Sequence, residues 1–283
     1  MPPAESRPKP PPCPPPPEPE YQSVVVGTIG KLHLVEPRYP LAKLAETMAV
    51  FKPDLVLIAA RVEPFREDKL EDAPFEMTYV HYLAKARGAA IEPIDWFRLE
   101  DLSAAPAPVE PPDEAGIEQR ETELLHQPKL FTFEQANDLD LSRKLLLASA
   151  SEARHRSGAP IASRRRAWMQ HLTTDATVRF NRPKKVLAYV DLFDRPLIDM
   201  TLSGLGYTSR TPVEVLAKSK ESLAAGDVPT EVMSQWRVEG VRARANAGKS
   251  PSEAAFWNER AKVFEVAVEK RGGCCVTQSA LVR

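Results

Sequence analysis

The chain has few cysteines and no long apolar run, and both absences narrow the class of protein. Its 283 residues contain three cysteines, Cys13, Cys274 and Cys275. Adjacent cysteines pair only in a strained turn, so the sequence predicts no disulfide framework and a reducing, cytoplasmic location. No segment approaches the roughly 18 consecutive apolar residues of a membrane-spanning helix. Residues 1–20 contain no apolar stretch typical of a secretory signal.

The sequence also has no excess of positive or negative charge, and it lacks several common catalytic and ligand-binding motifs. The formal net charge at pH 7 is −1, so bulk electrostatic binding to nucleic acid or to an acidic membrane surface is not expected. Residues 143–185 are rich in Lys and Arg and make a weaker case for an anionic partner, but the acidic residues of 100–126 balance them. The sequence has no Gly-x-Ser-x-Gly motif, phosphate-binding loop or Cys/His zinc spacing.

Proline is abundant, and the excess lies at one end of the chain. Eleven of the 28 prolines fall within residues 1–19. Such a composition is typical of disordered or polyproline II segments. We therefore expect residues 1–20 to form a tail that acts as a spacer or docks on a protein partner that recognises proline.

Apolar runs and helical periods alternate along residues 21–210. Four runs are typical of strands buried on both faces, at 23–26, 55–58, 89–94 and 185–190. Because helical patterns separate them, the sequence predicts an α/β fold with a central parallel or mixed sheet flanked by helices. We expect this core to contain a helical insertion over about 103–172. A helical extension over 211–283 is expected to pack on it.

Local signals predict where several helices begin and run. Residues 133–156 have the pattern of one continuous helix. Thr211 to Glu214 and Ser250 to Glu253 each combine a hydroxyl cap, proline at the first helical position and glutamate at the third. We therefore expect a helix to begin at each of these two segments.

Polar side chains follow every predicted strand, at the edge where open α/β sheets bind ligands. The acids and the histidine suit metal binding or acid–base catalysis, and the arginine suits an anionic group. Ordinary loop residues, surface pairs and helix caps explain each of them equally well. The candidates are His33 and Glu36 after the first strand, Arg61 and Glu63 after the second, Asp95 after the third, and Asp191 and Asp194 after the fourth.

Several of these segments resemble the motifs of one known family. Gly27-Thr28 followed by His33 is similar to a Gly-Thr-x-His turn, and Pro53–Ala59 is similar to a Pro-Asp-x-Val-x-x-Glu strand. Further matching segments are Ala84–Gly88 with Asp95, Arg165–Met169, Val190–Asp194 and Gly206-Tyr207. Over about 23–207 the chain resembles the TraB/Tiki and ChaN/erythromycin-esterase-like superfamily of α/β hydrolytic and ligand-binding proteins.

The resemblance implies metal-assisted hydrolysis of a peptide, ester or amide bond. A bound divalent ion would lower the pKa of its water and polarise the scissile carbonyl. The expected metal ligands are His33, Glu36, Asp95 and Asp194. The expected catalytic residues are His33, Asp194 and, as the base, Glu63. Arg61 and Arg165 are expected to orient an anionic part of a small-molecule or peptide substrate.

Two positions depart from the family pattern. Ala59 stands where the family has an acid, and Asp194 stands where it has a second histidine. Three interpretations therefore stay open. The chain is a hydrolase that uses Glu63 or Asp194 instead, a binding or scaffold protein that keeps the fold without the chemistry, or a protein with an engineered change of glutamate to alanine at position 59.

Overall fold

The computed structural model of the chain describes residues 20–100, 131–154, 159–217 and 228–270. The side chains of 148–154 and 159–162 are not described. The predicted proline-rich tail therefore lies outside the described residues, apart from Glu20. Much of the predicted insertion and residues 271–283 of the predicted extension lie outside them as well.

Five strands form one sheet, in the order β3-β2-β4-β1-β5. All of its pairings are parallel, so the predicted α/β class is confirmed and the sheet is parallel rather than mixed. Every residue of the first strand is buried, because parallel sheets are covered on both faces and their strands are apolar throughout. The strands are β1 Gln22–Thr28, β2 Leu55–Arg61, β3 Ala90–Asp95, β4 Lys185–Asp191 and β5 Thr208–Arg210.

Helices connect the strands along the chain, and further helices come after the last strand. A 3₁₀ helix, Gly30–Leu34, comes directly after β1. None of the helices in the described ranges is both long and apolar enough to cross a membrane. The α-helices are α1 Ala42–Phe51, α2 Val62–Arg66, α3 Phe75–Arg87, α4 Phe133–Ala136, α5 Leu139–Arg154, α6 Ala159–Arg179, α7 Arg195–Gly204, α8 Pro212–Ala217, α9 Thr230–Ala247 and α10 Ala254–Glu269.

Helices cover both faces of the sheet. The helix that follows β1 lies on one face, and the helix that follows β4 lies on the other. The Tyr189 hydroxyl of β4 donates to the Leu44 carbonyl of α1 at 2.8 Å, and α3 packs beside α1. On the other face, the Arg195 guanidinium of α7 donates to the Val25 carbonyl of β1 at 3.0 Å. Since β1 leads to α1 and the adjacent β4 leads to α7, the ends of these two strands form a topological switch point, where α/β sheets bind ligands.

Helices α9 and α10 pack on each other and on α3. The Trp236 ring of α9 is fully buried. Its indole nitrogen donates to the Phe75 carbonyl at 3.0 Å, which joins α9 to the start of α3 and satisfies the buried indole N–H. In this way the C-terminal helices are placed over the carboxyl ends of β1 and β2.

Of three local expectations, one is confirmed and two differ from the structure. The segment predicted as one helix from 133 breaks after Ala136, because Asn137 turns its side chain toward β1. The capping box forms at Thr211, with hydrogen bonds in both directions to Glu214. The box predicted at Ser250 does not form, and the Glu253 carboxylate accepts from the Trp257 indole instead. The sequence did not predict strand β5, because its three residues are polar and carry no apolar pattern.

Gly27, one residue before the end of β1, joins the sheet to two loops. Its amide donates to the Asn137 side chain at 2.9 Å, and its carbonyl accepts from the Tyr39 hydroxyl at 2.8 Å. A Cβ atom at this position would lie 2.5 Å from the Ala136 carbonyl oxygen. The close approach of α4 to the sheet therefore requires glycine here.

We expect Gly27→Ala to destabilise the fold by about 1–3 kcal/mol, because backbone must move to admit the methyl group. Gly204→Ala is the matched control, since a Cβ atom there meets nothing within 4 Å. Its change should stay within about 1 kcal/mol. Urea denaturation of both variants measures the difference, and equal midpoints would contradict the close approach.

Candidate functional site

The four longer strands each end in a polar side chain, at one edge of the sheet that we call the carboxyl edge. These residues are Thr28 of β1, Arg61 of β2, Asp95 of β3 and Asp191 of β4. The register aligns Thr28 with Asp191 and Arg61 with Asp95. The predicted convergence of polar residues at strand ends is therefore present in the structure, and the charges around each residue decide what it can do.

Arg165 of α6 holds two of the predicted metal ligands together. Its guanidinium makes two hydrogen bonds to the Asp95 carboxylate, at 2.8 and 2.9 Å, and a third to Asp194 at 2.7 Å. Both carboxylates are nearly fully buried, and together they raise the pKa of Arg165 above its ordinary value against the effect of burial. The arginine predicted to orient substrate is thus engaged in neutralising two acids.

Arg61, also predicted to bind substrate, pairs mainly with an acid that the sequence did not single out. Its guanidinium lies 3.1 Å from Asp72, whereas the predicted base Glu63 lies 3.8 Å away and is largely exposed. Burial raises the pKa of Asp72 to about 6, although the Arg61 charge opposes this. Arg61 and Glu63 therefore come together as predicted, but they do so beside a third charged group.

His33 is buried and both of its ring nitrogens are occupied. Nδ1 lies 2.9 Å from the Tyr39 carbonyl, and Nε2 accepts from the Ile29 amide at 3.3 Å. This arrangement fits one neutral tautomer with Nδ1 protonated. Burial lowers the pKa of His33 to about 4, so the ring stays neutral near pH 7 and has no free lone pair to offer.

The four residues predicted to hold a divalent metal do not fit that role in this arrangement. Both Glu36 oxygens accept from the Arg38 guanidinium at 2.8 Å. Asp95 and Asp194 face Arg165, and the His33 nitrogens bond to backbone. Across the described ranges, no three His, Cys, Asp or Glu side chains are grouped to hold a metal ion.

Asp191 stands apart from these neutralised acids. It ends β4 beside Thr28, is partly exposed, and accepts one hydrogen bond from the Phe193 amide at 2.9 Å. Burial, and then the neighbouring Asp194 charge, raise the pKa of Asp191 to about 7. Because side chains alternate along a strand, Asp191 lies on the same face of β4 as Tyr189, toward α1 and α3.

A pocket of about 280 Å³ opens next to this face, between the 3₁₀ helix, the start of α3 and α10. We call it the Glu76 pocket. Its walls include Gly30, Glu76, Phe256, Glu259, Arg260 and Val263.

Glu76 has no exposed area, and neither carboxylate oxygen has a hydrogen-bond partner among the described residues. Burial raises the pKa of Glu76, while the nearby Thr28 hydroxyl, Gly30 amide and Arg260 charge lower it. A buried carboxyl group without a partner is costly, by about 1–3 kcal/mol.

Arg260 is the main cation of the Glu76 pocket. Its guanidinium lies 5.3 Å from the centre of the Phe256 ring. It makes no ion pair or hydrogen bond with any residue that the structure describes. Burial lowers its pKa, and the charges of Glu76, Asp72 and Asp95 oppose that effect. Arg260 therefore carries a charge whose bidentate donors are not used by the described residues.

Sequence reasoning missed Glu76, Asp72 and Arg260. The one available signal was at Glu76, an acid that lies between the buried Phe75 and Met77. Glu76 lies in α3, Arg260 in α10, and Asp72 in the segment between α2 and α3. The strand-end rule did not cover them, because they reach the carboxyl edge from helices and loops.

Comparison of the chain with models of protein families, with curated proteins and with solved structures finds no match. The functional reading therefore depends on the geometry of the site.

We expect Arg165→Met to destabilise the fold by about 3–5 kcal/mol, because it leaves the buried Asp95 without its ion pair and Asp194 with only Arg166, 3.7 Å away. Adding Asp95→Asn and Asp194→Asn should recover most of that loss. Arg179→Met, which removes exposed pairs with Glu92 and Asp175, should stay within about 1 kcal/mol. Urea denaturation gives all three values, and a mild effect of Arg165→Met alone would contradict the structural role of this guanidinium.

Proposed function

We propose that the chain is a small-ligand-binding protein that keeps an α/β fold resembling the TraB/Tiki and ChaN/erythromycin-esterase-like group, and that the Glu76 pocket is its ligand site. The observation that carries the proposal is Arg260, a partly buried guanidinium at a pocket wall without an ion pair to the described residues.

The charge arrangement supports binding over metal-assisted hydrolysis. His33, Asp95 and Asp194 are engaged in hydrogen bonds that satisfy them within the fold. By contrast, Glu76 and Arg260 are held at a cost to stability without matched partners. Such groups are concentrated at functional sites, where a ligand supplies the missing charge or hydrogen-bond partner.

The position of the pocket supports the same conclusion. Gly30 lies two residues after the end of β1, beside the switch point between β1 and β4. The volume of about 280 Å³ is near the lower end of the range for small-molecule sites. A ligand of modest size is therefore expected, rather than a peptide chain.

We expect small polar fragments to bind in this pocket and to shift the methyl resonances of Val263, which lines it. The measurement is an NMR titration of protein labelled at valine methyl groups. The control is Val241 of α9, which lines a separate groove away from the Glu76 pocket. Fragments that shift only Val241, or no valine at all, would contradict the proposal.

A second candidate function, hydrolysis, is favoured by Asp191. A base works best when its pKa lies near the working pH, and burial brings that of Asp191 to about 7. The Asp191 carboxylate would take a proton from water as the water oxygen bonds to an acyl carbon. The resulting carboxylic acid would then return that proton to the leaving oxygen or nitrogen as its bond to carbon breaks.

If Asp191 is a base, turnover of p-nitrophenyl esters should rise with pH up to about 7 and then level off, because only the ionised carboxylate accepts a proton. Asp191→Asn should lower the rate about 100-fold or more. Asp140→Asn, which changes an exposed carboxylate of α5, is the control and should leave the rate unchanged. A rate that is the same in Asp191→Asn protein would exclude this role.

A further inference from the structure

The net charge of the Glu76 pocket depends on whether Glu76 is protonated. Its charged lining groups are Lys31, Glu76, Glu259 and Arg260. With Glu76 ionised these charges cancel, and with Glu76 protonated the pocket carries one positive charge. A ligand with a single negative charge therefore complements the pocket when Glu76 holds a proton.

The cations of the pocket are not equivalent. Lys31 is half-exposed at the rim and pairs with Glu259 at 2.7 Å, so its charge is already matched. Arg260 lies deeper and stacks near the Phe256 ring. Because the described residues leave its fork of donors unused, Arg260 is the group that is able to bind two oxygens of one anionic group.

We propose that the ligand of the Glu76 pocket is a small monocarboxylate, whose carboxylate binds the Arg260 guanidinium in a bidentate manner. This inference rests on the proposed ligand-binding function. A planar carboxylate matches the guanidinium fork in geometry and in charge. The Phe256 ring and Val263 offer apolar surface to the remainder of such a ligand.

Binding of a carboxylate is also expected to change the protonation of Glu76. From β1 the Thr28 hydroxyl faces it, from the 3₁₀ helix the Gly30 amide, and from α10 the Arg260 guanidinium. The charge of Glu76 also acts on Asp191 and Tyr39. When a carboxylate binds Arg260, the cation that favours ionised Glu76 is neutralised, so binding should be accompanied by proton uptake.

The experiment compares probes that differ only in charge. Benzoate and propionate are titrated against benzamide and propionamide, with inorganic phosphate as a second anion, at one fixed pH and ionic strength. Affinity is read from the Val263 methyl shifts in the full chain. We expect each carboxylate to bind at least tenfold more tightly than its amide and than phosphate.

Variants assign the effect to Arg260. We expect Arg260→Met to weaken carboxylate binding about 10- to 100-fold and to leave amide binding nearly unchanged. Arg260→Lys should recover part of the loss, because it restores the charge without the fork. Arg244→Met is the matched control, since it removes one positive charge from the α9 surface, where Arg244 pairs with Glu265.

Calorimetry in buffers of different ionisation enthalpy measures the proton uptake. In wild-type protein we expect net uptake of a fraction of a proton per carboxylate bound, and in Glu76→Gln protein we expect less. Amides that bind as tightly as carboxylates, tighter binding of phosphate, or carboxylate affinity that survives in Arg260→Met would overturn the inference and leave the ligand-binding function standing. If no probe shifts Val263, both fail.

Discussion

Compensation of buried charge at the carboxyl edge is the constraint on which the rest of the site depends. A parallel sheet covered on both faces accepts only apolar side chains along its strands, so polar residues collect where the strands end. The helices then bury those ends. Each acid at the edge consequently needs a cation, a hydrogen bond or a proton. Arg165 is the cation for Asp95 and Asp194, and Arg61 is the cation for Asp72.

The same constraint separates structural groups from candidate functional ones. Where cations and acids match in number, as Arg165 and Arg166 do with Asp95 and Asp194, the cluster is part of the stabilised fold. Glu76 and Arg260 lie within electrostatic range of each other, but no hydrogen bond or ion pair joins them within the described residues. A fold optimised only for stability would replace such a pair with apolar groups. Its presence beside a pocket is therefore the main reason to place a ligand there.

Much of the fold was predictable from sequence, because buried strands and capped helices leave local signals. The apolar runs that became β1, β2 and β4 and the capping box at Thr211 needed only neighbouring residues for their interpretation. The break at Asn137 was not predictable, since its cause is the Gly27 amide, far away in the chain. For the site, strand-end reasoning found Asp95, Asp191 and Asp194. It could not assign their roles. Arg165 reaches Asp95 and Asp194 from α6, and burial raises the pKa of Asp191.

The position of β4 in the middle of the sheet also fixes the order in which the protein is able to fold. Strands β1 and β2 are not neighbours, and β4 lies between them. As the chain leaves the ribosome, β1, β2 and β3 emerge early, but the strand that joins them follows only after residues 96–184. At about 5–20 residues per second, the gap between β1 and β2 stays unfilled for roughly ten seconds. During that time two apolar strand edges are open to chaperones and to wrong pairing. Strand β4 then joins β1 to β2 in one late step, and β5 follows at the other edge of β1.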